Sequence, residues 1–163
     1  MAIGKNINIT YISMTVKYLS IISLICIICF QTSCKQSTYT KVFTFEQHKV
    51  PNKPLEFIFE NPHANKTFDV TLKLTHTPHI KHNQFVFDFA IGNNFSTTLG
   101  VVLRNRDGNF KGVKQGDSIV LKQSLLQNQL LPQGRNTFLI TPAMNVDTVY
   151  HISAIELQIK EAE

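Results

Sequence analysis

The sequence predicts an all-β fold, an antiparallel β-sandwich of jelly-roll type, for the chain that follows its N-terminal segment. Two observations lead to this prediction. Apolar residues recur at every second position in several stretches, which is the period of a half-buried strand. Turn-forming residues separate those stretches at the spacing of antiparallel hairpins, as at Asn61-Pro62 and Gly92-Asn93-Asn94. About eight short strands joined by turns are typical of a two-sheet sandwich.

The clearest strand signal lies over residues 68–75, where Phe68, Val70, Leu72 and Leu74 alternate with polar residues. Such alternation places one face of a strand in a core and the other face in water. Seven further strands are expected, in chain order, over 42–45, 55–60, 85–91, 97–104, 117–123, 135–141 and 149–160.

One segment departs from this pattern. Four leucines cluster over residues 124–131 without strict alternation, so at most one short helix is expected there. Outside the N-terminal segment, no other window shows apolar residues at the period of a helix.

The N-terminal segment has the layout of an export signal. Lys17 supplies a cation, an apolar run covers 19–30, and the small residue Ser33 precedes Cys34. A cationic start, a short apolar core and a small residue before the cleavage point are typical of secretory signals. The apolar run has about a dozen residues, whereas a membrane-spanning helix needs about 20.

A cysteine directly after a small residue resembles the lipobox of bacterial lipoproteins. The resemblance implies a diacylglycerol on the Cys34 thiol, cleavage between Ser33 and Cys34, and an acylated new N-terminus. Two alternatives stay open, an ordinary cleaved signal that leaves Cys34 free and a retained membrane anchor. Met14 is an alternative start to Met1.

These borders divide the chain into three parts. Residues 1–33 form the signal peptide, residues 34–41 a polar tether, and residues 42–163 the β-sandwich domain. The tether carries no acidic pair, and in some surface lipoproteins such a pair marks export to the cell surface. We therefore expect a membrane-anchored protein of the cell envelope that faces the periplasm.

Charge and cysteine content exclude several classes of function. Lys5 and Lys17 lie in the signal, which leaves 14 of the 16 Lys and Arg against 11 Asp and Glu, a net charge of +3. The cations are scattered, so no nucleic-acid partner is expected. Cys26 and Cys29 lie in the apolar run and leave with it, so Cys34 is the only cysteine after cleavage. No disulfide, thiolate zinc site or cysteine nucleophile is expected in the folded domain.

Three histidines are weak candidates for a metal site. His76, His79 and His82 have the spacing H-x-x-H-x-x-H, and three imidazoles suit zinc or copper. However, a strand sends residues three apart to opposite faces, and Pro78 indicates an irregular loop. The favoured interpretation is a solvated loop, with no metal and no cofactor.

Asp107-Gly108-Asn109 fits a hairpin turn better than a calcium loop, because calcium needs six or more oxygens and only Asp117 is another nearby acid. No serine lies in a G-x-S-x-G setting, and no pair of carboxylates stands out. The protein is therefore not expected to be an enzyme, and no catalytic residue is assigned.

Aromatic residues are the remaining candidates for contacts. Most of the twelve phenylalanines fall in the apolar phase of strands and are assigned to the core. Phe95, Phe110, Tyr39 and Tyr150 lie near turns and are the better candidates for a contact surface. Exposed aromatics in a groove would favour ligand binding, whereas a flat face with an apolar edge would favour protein docking.

The C-terminal half carries motifs that resemble those of GldH-type gliding-motility lipoproteins. Residues 103–112 and 116–119 resemble their "L-x-D-x-x-G-x-W-x-G … G-D-I" stretch, with Phe110 in place of the tryptophan. Residues 132–145 resemble "G-x-Y-x-F-x-I-x-Q-A-M-R", and 152–159 resemble the closing "G-I-x-x-V-G-L-R-I".

That resemblance implies a lipid-anchored, non-enzymatic envelope lipoprotein that supports gliding motility and assembly of the type IX secretion machinery. Its implied partners are the membrane, through the lipid anchor, and other envelope lipoproteins or secretion-ring proteins. The alternative function is a glycan- or ligand-binding β-sandwich lipoprotein.

Overall fold

A computed structural model describes residues 38–93 and 95–162 of the chain. The expected signal peptide, its cleavage point between Ser33 and Cys34, and the lipid site Cys34 lie outside these residues. Within them the chain forms eleven strands: β1 (Thr38–Thr44), β2 (Lys49–Pro51), β3 (Leu55–Asn61), β4 (Thr67–His76), β5 (Gln84–Ile91), β6 (Phe95–Val102), β7 (Val113–Gln115), β8 (Ser118–Leu130), β9 (Gly134–Pro142), β10 (Thr148–Tyr150) and β11 (Ile152–Glu161). A 3₁₀ turn, Glu46–His48, precedes β2.

The strands form two antiparallel sheets that pack face to face. The larger sheet has the order β1-β11-β4-β8-β7, the smaller sheet has the order β3-β9-β5-β6, and β2 pairs with β10 in a short ribbon. Without the short β2, β7 and β10, the eight main strands run 1-8-3-6 in one sheet and 2-7-4-5 in the other. This interleaved order is that of a jelly roll, so the predicted all-β sandwich is confirmed.

Phenylalanine rings fill the space between the two sheets. The burial of β4 alternates without a break over its ten residues, as its sequence pattern predicts. Six phenylalanines are fully buried, namely Phe57, Phe68, Phe85, Phe87, Phe89 and Phe138. Because burial of one such ring contributes about 1.5–3 kcal/mol, these side chains are a principal source of stability in a domain without disulfides.

The short helix that we allowed for over 124–131 is not formed, because residues 124–130 belong to β8. Thr67 of β4 pairs with Leu130, and Thr71 pairs with Ser124. Two irregularities in the register on either side of Val70 place extra residues in β8, and Asn128 has a φ of 50°. Bulges of this kind break the period of two by which a strand is recognised in a sequence.

The expected tether also needs correction, since β1 begins at Thr38 and not at Val42. Thr38 pairs with Lys160 of β11, and the pairing continues along the strand to Thr44. The inward phase of β1 starts at Tyr39, whereas Val42, the first residue of the strand expected over 42–45, is 46% exposed. The polar residues before Val42 concealed this phase.

The connections between strands differ in length at the two ends of the sandwich. Because the main strands alternate in direction, the four long connections, 45–54, 77–83, 103–117 and 143–151, lie at one end, here named the long-loop end. The start of β1 and the three short connections lie at the other end, here named the short-turn end.

Candidate docking surfaces

Side chains of β1 close one side of the sandwich, the side where β1 lies over β3. The Lys41 Nζ donates to the carbonyl oxygen of Glu56 at 2.8 Å. The Tyr39 ring lies 5.6 Å from the Phe59 ring, and its hydroxyl is hydrogen-bonded to the Ile58 backbone. Burial raises the pKa of Tyr39, and the bond to Ile58 opposes this shift. We name this side the closed side.

The opposite side, where β6 lies over β7 and β8, is open. An apolar cleft of about 310 Å³ enters between the sheets at the short-turn end, and its lining includes Ile91, Phe95, Leu126, Leu130 and Arg135. Among the described residues, no hydrogen bond joins a side chain of β8 to β6 as Lys41 joins β1 to β3. We name the edges of β6, β7 and β8, together with this cleft, the open side.

Exposed apolar side chains concentrate on the open side. Seven large apolar residues are exposed in the described part of the chain, and four of them lie here: Phe95 and Val102 on β6, Val113 on β7 and Leu130 on β8. Val113 is 64% exposed and Leu130 is 55% exposed. Because a soluble surface rarely groups apolar side chains without a use, the open side is the candidate docking surface.

The aromatic candidates from the sequence are not brought together. Tyr39 lies in the closed side, Phe110 is half-buried in a long loop, and Tyr150 is exposed at the long-loop end. Phe95 alone among them belongs to the open side. The exposed aromatic residues of the described chain therefore form no row, and the apolar edge is the more prominent surface feature.

Sequence reasoning missed Val113 and Leu130 of this surface. A single valine in a three-residue strand has no periodic signal, and Leu130 belongs to the cluster that was expected to form a helix. Only the pairing of β7 and β8 and the bulges of β8 reveal their exposure.

The loop 103–112 at the long-loop end is held by stacking and hydrogen bonds. The Arg104 guanidinium carbon lies 3.6 Å from the centre of the Phe110 ring. The same guanidinium donates to the carbonyl oxygens of Gly108 at 3.0 Å and Ile80 at 3.1 Å. Arg104 thus ties the loop to the neighbouring connection 77–83, and the cation–π contact adds to these bonds.

Gly108 and Gly112 are needed in this loop for different structural reasons. Gly108 follows Asp107 with a φ of +81°, and the Asn105 side chain accepts hydrogen bonds from the N–H groups of Asp107 and Asn109. The predicted turn is therefore confirmed. Gly112 has a φ of +101°, and a Cβ there would lie 2.5 Å from the carbonyl oxygen of Val120 in β8. The glycine spacing of this motif is required by the turn and by close approach to β8.

The three candidate histidines do not share a site. His76 is fully buried at the end of β4, His79 is exposed in the next loop, and His82 is half-buried. In the described ranges, no group of three or more His, Cys, Asp or Glu side chains is placed to hold a metal ion.

His76 is instead part of the packing beneath the loop 103–112. Its ring lies 5.2 Å from the Phe110 ring, and its Nδ1 is 2.8 Å from the carbonyl oxygen of Thr77, to which Nδ1–H donates. Its Nε2 is buried and has no hydrogen-bond partner among the described residues. Burial lowers the pKa of His76, as does Arg104 to a lesser degree, while the bond to Thr77 opposes the shift.

Comparisons with known proteins give little beyond distant likeness. No protein-family model matches the sequence, and neither does any curated protein. The fold is similar to part of a crystal structure of dimeric latent PorU from Porphyromonas gingivalis, with 9% identity and a TM-score of 0.34 over 78% of this chain and 13% of that chain. It is also similar to the infectious bursal disease virus VP2 subviral particle, with 11% identity and a TM-score of 0.30 over 80% of this chain and 34% of that one.

The chain therefore spans about an eighth of the first of these proteins and about a third of the second. Likenesses at these TM-scores carry no argument about function. Within the described residues, no helix has both the length and the hydropathy needed to cross a bilayer.

We predict that Gly112→Ala destabilises the protein more than Gly108→Ala does. Alanine at 108 meets only the unfavourable φ, since no atom lies within 4 Å of its Cβ, and should cost about 1 kcal/mol. Alanine at 112 has the same unfavourable positive φ and also collides with the backbone of β8. It should lower the free energy of unfolding by about 3 kcal/mol. Urea unfolding of both variants measures the difference, and equal losses would contradict the close approach described for Gly112.

We predict that stability falls with acid because of His76. Its folded pKa is lower than the usual value of about 6.5, so below that pH the unfolded chain binds a proton that the folded chain does not. The contribution of neutral His76 to the free energy of unfolding is fully present above pH about 6.5. It is lost as pH falls, with a slope of at most about 1.4 kcal/mol per pH unit. Urea unfolding at several pH values measures this slope.

His76→Asn should flatten that slope, because asparagine can still donate to the Thr77 carbonyl but does not titrate in this range. His79→Asn is the matched control, since His79 is exposed, and it should retain the slope of the unmodified chain. A slope that His76→Asn leaves unchanged would show that another group is responsible.

Proposed function

We propose that this protein is a lipid-anchored, non-enzymatic envelope lipoprotein that docks other envelope proteins and supports assembly of the gliding-motility and type IX secretion machinery. The observation that carries the docking role is the open side, where four exposed apolar residues border a cleft. The lipobox-like cysteine and the motif resemblance over 103–159 support the anchor and the machinery, respectively.

The start of β1 supports an anchor held close to the membrane. Because β1 begins at Thr38, only residues 35–37 separate it from Cys34. Three extended residues span roughly 10 Å, so the short-turn end would stay near the lipid surface. Two acyl chains anchor a protein stably where one binds only marginally, and a diacylglycerol supplies two.

The distribution of exposed apolar side chains supports protein docking over glycan binding. The exposed apolar residues of the open side lie along strand edges, where an added chain finds both backbone and side-chain contacts. Exposed aromatics that would stack on a sugar are not grouped among the described residues, and the chain has no tryptophan.

The apolar cleft favours one alternative function, the binding of a small ligand. Its volume of about 310 Å³ is at the lower end for ligand pockets, and Arg135 at its border suits a ligand with an apolar body and an anionic group. Saturable, stoichiometric binding of a fluorescent fatty acid that Leu126→Lys abolishes would favour this alternative.

We predict that Cys34→Ser releases the protein from the membrane as a folded, soluble periplasmic protein. Serine removes the thiol on which the lipid would be attached, and the apolar run before it is too short to span a bilayer as a retained helix. Fractionation of cells into membrane and soluble parts measures the change. Cys29→Ser is the matched control and should leave the protein in the membrane fraction. Retention of the Cys34→Ser variant by the membrane would refute the lipid anchor.

We predict that the open side is needed for recovery of partners from native membranes. Leu130→Asp should reduce co-purified secretion-ring lipoproteins several-fold, because it places a charge beside the apolar cleft. Val42→Asp is the matched control, since Val42 is similarly exposed on β1, and should leave recovery unchanged. Absence of secretion-ring lipoproteins from the unmodified sample would remove the support for a role in that machinery.

A further inference from the structure

The edge of β6 lacks the features that protect the other sheet edges. Edge strands commonly carry charges or bulges that prevent the addition of another strand. Here β1 carries Lys41, β3 carries Glu56 and Glu60, and β8 carries Lys122. Over its eight residues β6 has no charge, no proline and no irregularity in its register with β5.

The outer backbone groups of β6 are also unoccupied within the described chain. β6 pairs with β5 along its full length and has no strand on its other side. No described side chain forms a hydrogen bond with the backbone of residues 95–102. On β8, by contrast, the Gln123 side chain donates to the carbonyl oxygen of Ser124, and that of Gln129 donates to that of Leu130. β6 is thus an open template for a further strand.

We propose that two copies of this chain join edge to edge through β6, so that the two smaller sheets form one continuous antiparallel sheet. In a two-fold contact the same strand edge is present on both partners. A charged residue on that edge would therefore lie close to the same charge of the other copy. The absence of charge on β6, alone among the sheet edges of comparable length, is what such a self-complementary contact requires.

A two-fold axis through Thr98 gives the joined strands a favourable register. On the inner face Phe95 lies opposite Val101, and Thr97 lies opposite Leu99, with each pair formed twice. Aromatic and β-branched side chains are stabilising cross-strand partners. On the outer face Thr98 meets Thr98, and each Thr98 hydroxyl donates to the Asp88 carboxylate of its own copy at 2.6 Å.

The same axis brings two further apolar features together. β7 extends the larger sheet beyond β8, but only where it pairs with Ser118–Val120 near the long-loop end. The apolar cleft lies on the same side near the short-turn end. Since the joined strands are antiparallel, β7 of each copy, with its exposed Val113, meets the cleft beside Phe95 and Leu130 of the other. Three of the four exposed apolar residues of the open side, Phe95, Val113 and Leu130, thereby lie at the contact.

This arrangement agrees with the lipid anchor proposed above, although it does not depend on it. The two-fold axis runs perpendicular to the joined sheet, so the larger sheets of both copies lie on the same side of the dimer. Strand β1, to which the tether connects, belongs to the larger sheet. Both tethers therefore start from the face of the dimer formed by the larger sheets, at opposite ends because the joined strands are antiparallel, and that face can lie against one bilayer.

Sedimentation equilibrium of the full chain in density-matched detergent tests the dimer directly. We expect a monomer–dimer equilibrium, and we expect Thr97→Lys to raise its dissociation constant about tenfold or more, because the cation would be desolvated opposite Leu99 of the other copy. Thr40→Lys adds the same charge to the edge strand β1 and should leave the constant unchanged. A chain that is monomeric at all concentrations, or equal weakening by both substitutions, would overturn the proposal.

Cross-linking tests the register without a change of charge. In a chain whose Cys26, Cys29 and Cys34 are replaced by serine, Thr98→Cys places one thiol at the two-fold axis, at a Cα separation that a disulfide can bridge. Mild oxidation should convert it to a covalent dimer, whereas Thr40→Cys should stay monomeric. A Thr98→Cys chain that forms no covalent dimer contradicts the register. This test needs neither anchor nor partner. A covalent dimer would assign the open side to a second copy of this chain in place of another envelope protein, whereas failure of the dimer would leave that side to such a partner. The lipid anchor is tested separately by Cys34→Ser.

Discussion

The packing of two sheets around buried phenylalanines holds every other feature of this domain in place. Residues 38–162 contain no cysteine, so no disulfide links the described strands, and apolar area removed from water between the sheets is a principal source of their stability. In the jelly-roll order the core is built from residues along the whole described sequence, because strands that are distant in the chain lie side by side. β1 pairs with β11, for example, and β4 pairs with β8. The fold is therefore complete only when its last strand is in place.

A two-sheet sandwich has two lateral sides, and in this molecule the two sides differ in structure. On the closed side, Lys41 and Tyr39 span the gap between sheets and satisfy backbone groups of β3. On the open side, the corresponding edges carry exposed apolar side chains and an unprotected strand. A protein that needed only to fold would be expected to protect both sides, since free edges favour aggregation. This asymmetry is the observation on which we base the proposed use of the open side in assembly.

The loop 103–112 shows how a sequence motif can be explained by structure. Arg104 stacks on Phe110, Phe110 packs on His76, and Gly112 passes close to the backbone of β8. The motif therefore stiffens the connection between the two sheets at the long-loop end. Its aromatic position contacts the interior and a neighbouring cation, and none of these residues needs a catalytic role to account for its place.

The sequence by itself determined the local elements of this protein. Period-two alternation located all eight main strands, and it assigned most phenylalanines to the core, because a half-buried strand leaves a direct trace in its own residues. The turn at Asp107 and Gly108 was predicted for the same reason, since turn geometry selects residue types locally.

Only the tertiary structure decided the phase of β1, the strand nature of 124–131, and the difference between the closed and open sides. These features depend on pairing between distant strands, where a shift by one residue exchanges the two faces, and bulges erase the period that would reveal it. The exposure of Val113 and Leu130 and the unoccupied edge of β6 follow from which strands are neighbours. Which strands are neighbours depends on contacts between distant segments, so it cannot be read from any one segment alone.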